Sequence, residues 1–245
     1  RYQSLSRGLG DVYKRQGETS NMTAMKKLRY VAIVLMVVGV AFGAVGIYAF
    51  GQVDAGEHSL QHFSEAQNVT LSYNEDGQLV DRGTTEGADA IMELLTEEWG
   101  YPVVESDLDP NDPLVNTATE YMFQMATIGY HILHGTQTVV LAEDVEYNDE
   151  LFTAGEYELY VRTVGDRGEL GGYWTDFDRR HPIEGPARSQ AWSGTAHGLF
   201  GELGVGTVTA STLQLAWAVS ALVLGLGVVF LALGGGLFWV SATKE

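Results

Sequence analysis

Two long apolar runs near the ends of the chain constrain its fold more than any other feature. The first covers 20 residues from Val31 to Phe50, the second covers 28 residues from Leu213 to Val240, and neither contains a charged side chain. At about 1.5 Å of rise per residue, 20 helical residues extend about 30 Å, which is the thickness of the hydrocarbon core of a bilayer. The sequence therefore predicts two transmembrane helices.

The charges around the first run predict an orientation. Lys26, Lys27 and Arg29 precede the run, whereas carboxylates follow it. Because basic residues mark the cytoplasmic end of a transmembrane helix, we expect a plasma-membrane protein with both termini cytoplasmic and residues 51–210 extracytoplasmic.

A cleaved signal peptide is the alternative interpretation of the first run. Val53, Asp54 and Ala55 provide small residues at the right offsets for cleavage. The run is longer than the 7–15 apolar residues usual in signal peptides, which favours an uncleaved anchor.

The chain is predicted to have four segments. The first opens with RYQSLSRGLGDVYKRQ, which resembles translated adaptor sequence, so a natural start at Met22 or Met25 is expected. In order, the segments are a non-native or disordered N-terminal part (1–21), a basic flank with the first transmembrane helix (22–50), an acidic extracytoplasmic domain (51–210), and the second transmembrane helix with a short cytoplasmic tail (211–245).

The central domain is strongly acidic. Residues 51–210 contain 29 Asp and Glu against six Arg and no Lys, a formal charge of −23. Nucleic-acid binding depends on cationic contacts to phosphates, so this class of partner is excluded. Two interpretations remain: a carboxylate-rich surface that keeps the protein soluble in saline surroundings, which we favour, or a surface that binds cations. The absence of cysteine from the chain excludes disulfides and thiolate sites.

The hydrophobic periodicity of the central domain predicts an α+β fold, with a small antiparallel sheet and two or three covering helices. A capping box at Thr117 to Glu120 opens the clearest helix, and Asn148-Asp149 is a strong turn signal. The expected elements are a hairpin (69–80), helices (85–99, 118–134 and about 187–203), a meander of short strands (138–141, 145–147, 151–152 and 157–161) and a loop (165–187).

Candidate metal ligands are sparse. His131 and His134 are three residues apart, and His58 and His62 are four apart, but neither pair has a third ligand that the sequence identifies. The run from Asp107 to Asp112 imitates a calcium loop but has Asp112 where the motif needs Gly and Ala118 where it needs Glu. We therefore assign no metal site and no cofactor.

Catalytic patterns are equally weak. Ser193 and His197 are four residues apart without an orienting acid. Asp176 and Asp178 could serve a carboxylate-dependent hydrolase, but some pairing is inevitable among 29 acids. Three arginines, Arg179, Arg180 and Arg188, are expected to pair internally rather than to bind an anionic partner. We assign no catalytic residue.

Small residues in the two spans predict close helix packing. Gly39 and Gly43 lie on one face of the first span, and Ala221 and Gly225 lie on one face of the second. We expect the spans to pack against each other, or against a second copy, through these residues. Neither span contains an ionisable residue, so the spans are predicted to be anchors rather than a transport pathway.

Four stretches are similar to known sequences: RGTTEGADAIMELLTEEWGYPV, DPNDPLVNT, YHILHGTQTVVL and FDRRHPIEGPARSQAWSGTAHGL. With the two flanking spans, they resemble a group of uncharacterised actinobacterial integral membrane proteins. The resemblance implies two spans around an extracytoplasmic domain in the plasma membrane, and it implies no functional residue. The sequence thus favours a membrane-anchored interaction or structural domain of the cell envelope, with envelope proteins or a second copy as partners. The alternative is a hydrolase or a cation-binding module.

Overall fold

The computed structural model describes the backbone of residues 2–161, 163–164, 169–170 and 177–243, and the side chains of residues 24–161 and 177–243. Within this part, the chain forms two compact units. One consists of Arg1–His58 with Leu213–Glu245, and the other is Ser59–Thr212. The expected mixture of helices and small antiparallel sheets, with a long apolar helix near each end, is confirmed.

Two long helices, α1 (Tyr2–Gln67) and α5 (Gly194–Thr243), contribute most of their length to the first unit, and the end of α1 and the start of α5 belong to the second. Ala24–Gln67 and Gly194–Thr243 are long and apolar enough to cross a membrane. Large apolar side chains on these helices face outward; Val37, for example, is 64% exposed. Exposed apolar surface of this extent is unfavourable in water and favourable in lipid.

The two apolar helices approach each other at glycines. A Cβ added to Gly39 would lie 2.9 Å from the Gly227 carbonyl oxygen, and one added to Gly227 would lie 2.8 Å from the Gly43 nitrogen. A Cβ on Gly46 would meet Leu224 at 3.0 Å. Gly225, in contrast, has open space where its Cβ would be. Packing of the spans through small residues is therefore observed, but on α5 the close approach is at Gly227 and not at Gly225.

Ser59–Thr212 begins with the last turns of α1, which ends where Asn68 adopts a left-handed φ of 52°. The expected hairpin follows, with Tyr73 bridged to Leu79. Asn74 forms its turn: the side-chain oxygen accepts hydrogen bonds from the backbone N–H groups of Asp76 and Gln78. Gly77 has a φ of +75°, which a glycine adopts without steric cost.

The helix expected over 85–99 is α2 (Thr85–Glu93), continued by a π-helical turn (Leu94–Glu98). Thr84 caps its N-terminus by accepting the Gly87 N–H. At the other end, the Trp99 N–H donates to the Leu94 carbonyl oxygen at 3.0 Å, and Gly100 has a φ of +62°. The wider turn allows Leu94 and Leu95 both to be buried.

The capping box of α3 (Ala118–Leu133) is confirmed. The Thr117 hydroxyl accepts the Glu120 N–H at 3.2 Å, and the Glu120 carboxylate accepts the N–H groups of Asn116 and Thr117 at 3.0 and 2.8 Å. The Glu120 carboxylate is buried, and this desolvation raises its pKa above the usual value although the hydrogen bonds oppose the shift.

The four predicted strands are found near their expected positions, but their pairing differs, and two further short strands were not predicted, of which the last lies within the expected loop (165–187). The strands are β1 (Thr136–Leu141), β2 (Val145–Tyr147), β3 (Glu150–Phe152), β4 (Gly155–Tyr160), β5 (Thr163–Val164) and β6 (Glu169–Leu170). Antiparallel pairs form between β1 and β4, between β2 and β3, and between β5 and β6.

A meander would instead pair β1 with β2. Asn148 and Asp149 both have positive φ, so β2 and β3 form a tight hairpin. The Asp144 carboxylate accepts the Ala154 N–H at 2.8 Å and closes the base of this hairpin. The hairpin of β2 and β3 is thus inserted between β1 and β4. These two strands pair with each other, beginning with Leu141 opposite Gly155.

The loop expected over 165–187 ends early, because α4 (Glu184–Ala191) already begins at Glu184. Pro186 falls in its first turn, where a missing N–H is tolerated. The helix expected over about 187–203 is interrupted at Trp192 and Ser193, and α5 starts at Gly194.

Three apolar clusters form the core of Ser59–Thr212. The largest joins α2, α3 and the hairpin around Ile91, Leu95 and Tyr121. A second gathers Leu133, Trp192 and Ala196. In the third, Val139 of β1 packs against Ile183 and Ala187. The sheet of β1 and β4 is thus packed on α4, whereas α2 and α3 share a different cluster.

Candidate functional site

The turn before α4 contains Asp178, which the sequence offered for acid–base chemistry, and His181. The Asp178 carboxylate accepts a hydrogen bond from the Tyr147 hydroxyl and another, at 2.8 Å, from the Arg180 N–H. The Tyr147 hydrogen bond is the main cause that holds the pKa of Asp178 below its usual value. Asp176 lies outside the described residues. The hydrogen bond from Tyr147 to Asp178 therefore joins the turn to β2, which is a structural role for Asp178.

His181 has a structural task as well. Its Nδ1 accepts the N–H groups of Ile183 and Glu184, both at 3.1 Å, which lie at the start of α4. The ring contacts Phe152 edge-on, with ring centroids 4.9 Å apart. Because Nδ1 accepts two hydrogen bonds, the proton of the neutral ring is on Nε2. His181 thus caps the first N–H groups of α4, and its Nδ1 is not available to accept a proton from a substrate.

The arginines near this turn have different environments. Arg188 is buried, and its guanidinium lies 4.6 Å from the ring centroid of Phe177. Arg179 lies 5.7 Å from the same ring, whereas Arg180 is exposed. Neighbouring Glu184 is also buried: its Oε2 accepts the Asp178 N–H at 3.0 Å, and its Oε1 has no hydrogen-bond partner among the described residues.

The structure brings together one pair that the sequence did not suggest, His131 and Asp81. The His131 Nε2 lies 3.0 and 3.1 Å from the two Asp81 carboxylate oxygens. The side chains are 25% and 15% exposed, respectively. A carboxylate only accepts hydrogen bonds, so Nε2 is the protonated nitrogen, and Nδ1 of the neutral ring is left as an acceptor.

Local structure fixes Asp81. Asp81 and Thr84 exchange backbone hydrogen bonds of 2.9 and 3.0 Å around Arg82 and Gly83, which both have positive φ. This turn leads directly into α2, while His131 is in the last turn of α3. The hydrogen bond between His131 and Asp81 therefore joins the entry of one core helix to the end of another.

His131 also lines an open cleft of about 380 Å³. Its walls carry two carboxamides, Gln137 and Gln190, and several hydroxyls beside an apolar side. The other lining residues are Thr127, Ile128, Ile132, Ala191, Ser193, Thr195, Ala196 and Leu199. A second, smaller cleft of about 180 Å³ contacts Asp81, Arg82 and Gln124. Thus His131 lines one cleft and its hydrogen-bond partner Asp81 lines the other. Neither Asp178 nor His181 is among the lining residues of these two clefts.

The other sequence candidates are not brought together as a site. His134 donates from Nδ1 to the Tyr130 carbonyl oxygen at 3.0 Å and stacks on that ring, so it does not share a partner with His131. His58 lies 3.8 Å from Asp54, and His62 lies 3.4 Å from Glu65.

The Ser193–His197 pair also has a structural explanation. The His197 Nδ1 donates to the Ser193 carbonyl oxygen at 2.9 Å, not to the hydroxyl. The Ser193 hydroxyl accepts the Ala196 N–H at 3.3 Å and so caps the start of α5.

The calcium-like run forms a closed turn. The Asp109 Oδ1 accepts the backbone and side-chain N–H groups of Asn111, both at 2.8 Å, and these bonds lower the pKa of Asp109. Across the described residues, no group of three or more His, Asp or Glu side chains is arranged to hold a metal ion.

Comparisons with protein-family models, curated proteins and solved structures gave no match to this chain.

Proposed function

We propose that this chain is a membrane-anchored envelope protein whose residues 51–210 act outside the cytoplasm as an interaction or structural domain. The observation that carries the proposal is the outward-facing apolar surface of α1 and α5. Val37, Ile47, Leu222 and Val228 are all more than 60% exposed. A bilayer would cover this surface, and the basic residues before Val31 favour a cytoplasmic N-terminus.

The contacts of the candidate catalytic residues support interaction over hydrolysis. Asp178, His181 and Ser193 each hold a turn or a helix start in place. A catalytic role would require these groups to be available to a substrate. The hydrolase alternative therefore receives no support from Asp178.

The proposed partners are envelope proteins, with self-association through the membrane helices as the second mode. Gly225 and Gly235 leave open space at the surface of α5, which would allow a second helix to approach closely. The resemblance to two-span actinobacterial membrane proteins is in keeping with the plasma membrane as the location.

Photo-crosslinking in intact cells tests the proposal. A photoreactive amino acid would replace exposed residues of the domain, one at a time, at Val104, Val140 and Leu151. The proposal predicts a discrete protein adduct at one or more of these positions, or a dimer of the chain. Absence of any discrete adduct at all three positions would contradict an interaction role.

A further inference from the structure

The cleft beside His131 differs in charge from the domain that contains it. Residues 51–210 have a formal charge of −23, yet the described residues that line the cleft include no Asp, Glu, Lys or Arg. His131 is the one titratable side chain among these described lining residues, and its Nε2 pairs with Asp81. The cleft is therefore suited to an uncharged ligand, because a charged one would find no partner of opposite sign among its described lining residues.

The polar groups of the lining match an amide. Gln137 and Gln190 each offer a donor and an acceptor, and the hydroxyls of Ser193 and Thr195 offer more. The His131 Nδ1 remains an acceptor because Asp81 holds the proton on Nε2. Both donors and acceptors are thus available, which is what a peptide group needs.

The opposite side of the cleft is apolar. Ile128, Ile132 and Leu199 contribute branched aliphatic side chains, with alanines between them. A volume of about 380 Å³ is within the range of small-ligand sites, about 300–1,000 Å³. A ligand with an aliphatic side chain next to a peptide group would contact the apolar side of the cleft with the side chain and the polar side with the peptide group.

We infer that this cleft binds an uncharged peptide segment through an aliphatic side chain and its flanking amides. His131 accepts a hydrogen bond from the ligand, and Asp81 is a positioning residue that fixes the imidazole tautomer. This inference rests on the proposed interaction role and assigns that role a recognition site.

The smallest probe of this chemistry is N-acetylleucinamide, and its charged counterpart is N-acetylleucine, which has a carboxylate in place of the terminal amide. The full chain in detergent micelles, labelled at the histidine Cε1 carbons, gives one NMR signal for each of six histidines. The signal missing from His131→Gln identifies His131. We expect N-acetylleucinamide to shift this signal saturably and N-acetylleucine to do so much more weakly.

Three variants separate binding from a structural role of the His131–Asp81 hydrogen bond. Gln190→Ala removes a carboxamide of the cleft, and loss of one neutral hydrogen bond should raise the Kd of the probe by about threefold to tenfold. Gln124→Ala is the matched control, since Gln124 lines only the smaller cleft. Asp81→Asn should weaken binding and change the tautomer of His131 that its ring signal reports.

Three results would overturn the inference: no saturable shift, equal shifts with the two probes, or equal effects of Gln190→Ala and Gln124→Ala. If one of these results is obtained but discrete crosslinks form at Val104, Val140 or Leu151, the domain has an interaction role and this cleft is not its recognition site. Failure of the recognition site and failure of the proposed function are thereby distinguishable.

Discussion

The hydroxyls of Ser64 and Tyr121 lie 2.9 Å apart in the buried interior of Ser59–Thr212 and join α1 to α3. Tyr121 is only 1% exposed. A Cβ added to Gly206 would lie 2.5 Å from its ring, so the tyrosine fits against α5 because that position has no side chain. One tyrosine thereby contacts the last turns of α1 and the first part of α5.

Removal of the Ser64 hydroxyl should destabilise the domain. Ser64→Ala leaves the Tyr121 hydroxyl buried without its partner, which costs about 1–3 kcal/mol. Tyr121→Phe should cost less, because the Ser64 hydroxyl keeps its hydrogen bond to the Leu60 carbonyl oxygen. Thermal unfolding of the full chain in detergent measures both. Equal, negligible effects would show that the hydrogen bond does not contribute to stability.

Packing of the apolar helices should depend on Gly227 and not on Gly225. A Cβ at Gly227 would lie 2.8 Å from the backbone of α1, whereas Gly225 has open space. Gly227→Leu should therefore separate the helices, and Gly225→Leu is the matched control. Disulfide crosslinking between cysteines placed at Phe42 and Phe230, whose ring centroids are 5.7 Å apart, reports the approach. Crosslinking that survives in Gly227→Leu would show that the glycine contact is dispensable.

The capping box of α3 predicts opposite effects of two substitutions. Thr117→Ala removes the acceptor for the Glu120 N–H and should cost about 1 kcal/mol. Glu120→Gln keeps a carbonyl oxygen for the N–H groups of Asn116 and Thr117 and removes a buried charge. At neutral pH this variant should be at least as stable as the wild type.

The pH dependence follows from the raised pKa of Glu120. Because burial raises this pKa in the folded state, ionisation of Glu120 disfavours folding, and stability improves as the pH falls through the folded-state pKa toward 4.5. Any advantage of Glu120→Gln should therefore shrink on acidification. Unfolding midpoints of the wild type and of Glu120→Gln across this pH range measure the difference in stability. A stability advantage of Glu120→Gln that grows in acid would contradict a raised pKa of Glu120.

The His181 side chain should stabilise the start of α4, because its Nδ1 accepts the N–H groups of Ile183 and Glu184. His181→Ala removes this acceptor, so amide hydrogen exchange over α4, corrected for intrinsic rates, should accelerate in this variant. His181→Asn keeps a side-chain acceptor, so its exchange should stay closer to that of the wild type. Identical exchange in the wild type and in His181→Ala would show that these hydrogen bonds have no effect on α4.

Local signals in the sequence predicted the elements well, because each depends on neighbouring residues. Thr117 and Glu120 are three residues apart, and their mutual hydrogen bonds need only the first turn of a helix. Asn148 and Asp149 tolerate positive φ, so the position of their turn could be predicted. The start of α4 was missed because Gly185 and Pro186 are typical of loops; His181, which caps the helix, is not a common capping residue.

Tertiary relationships were less predictable. His131 and Asp81 are 50 residues apart, and their contact depends on how the turn at Arg82 and the end of α3 pack. The pairing of β1 with β4 spans an inserted hairpin, at whose base the Asp144 carboxylate accepts the Ala154 N–H ten residues along the chain. On α5, Gly225 and Gly227 are both small residues, and only the rotation of the helix about its axis distinguishes them.

The proposed topology is tested most directly by accessibility of single cysteines. The chain contains no native cysteine, and Ser72 and Thr243 are both exposed. In intact cells, a membrane-impermeant thiol reagent should label Ser72→Cys. It should label Thr243→Cys only after the membrane is permeabilised. Labelling at position 243 but not at position 72 in intact cells would contradict a membrane anchor with residues 51–210 outside the cytoplasm.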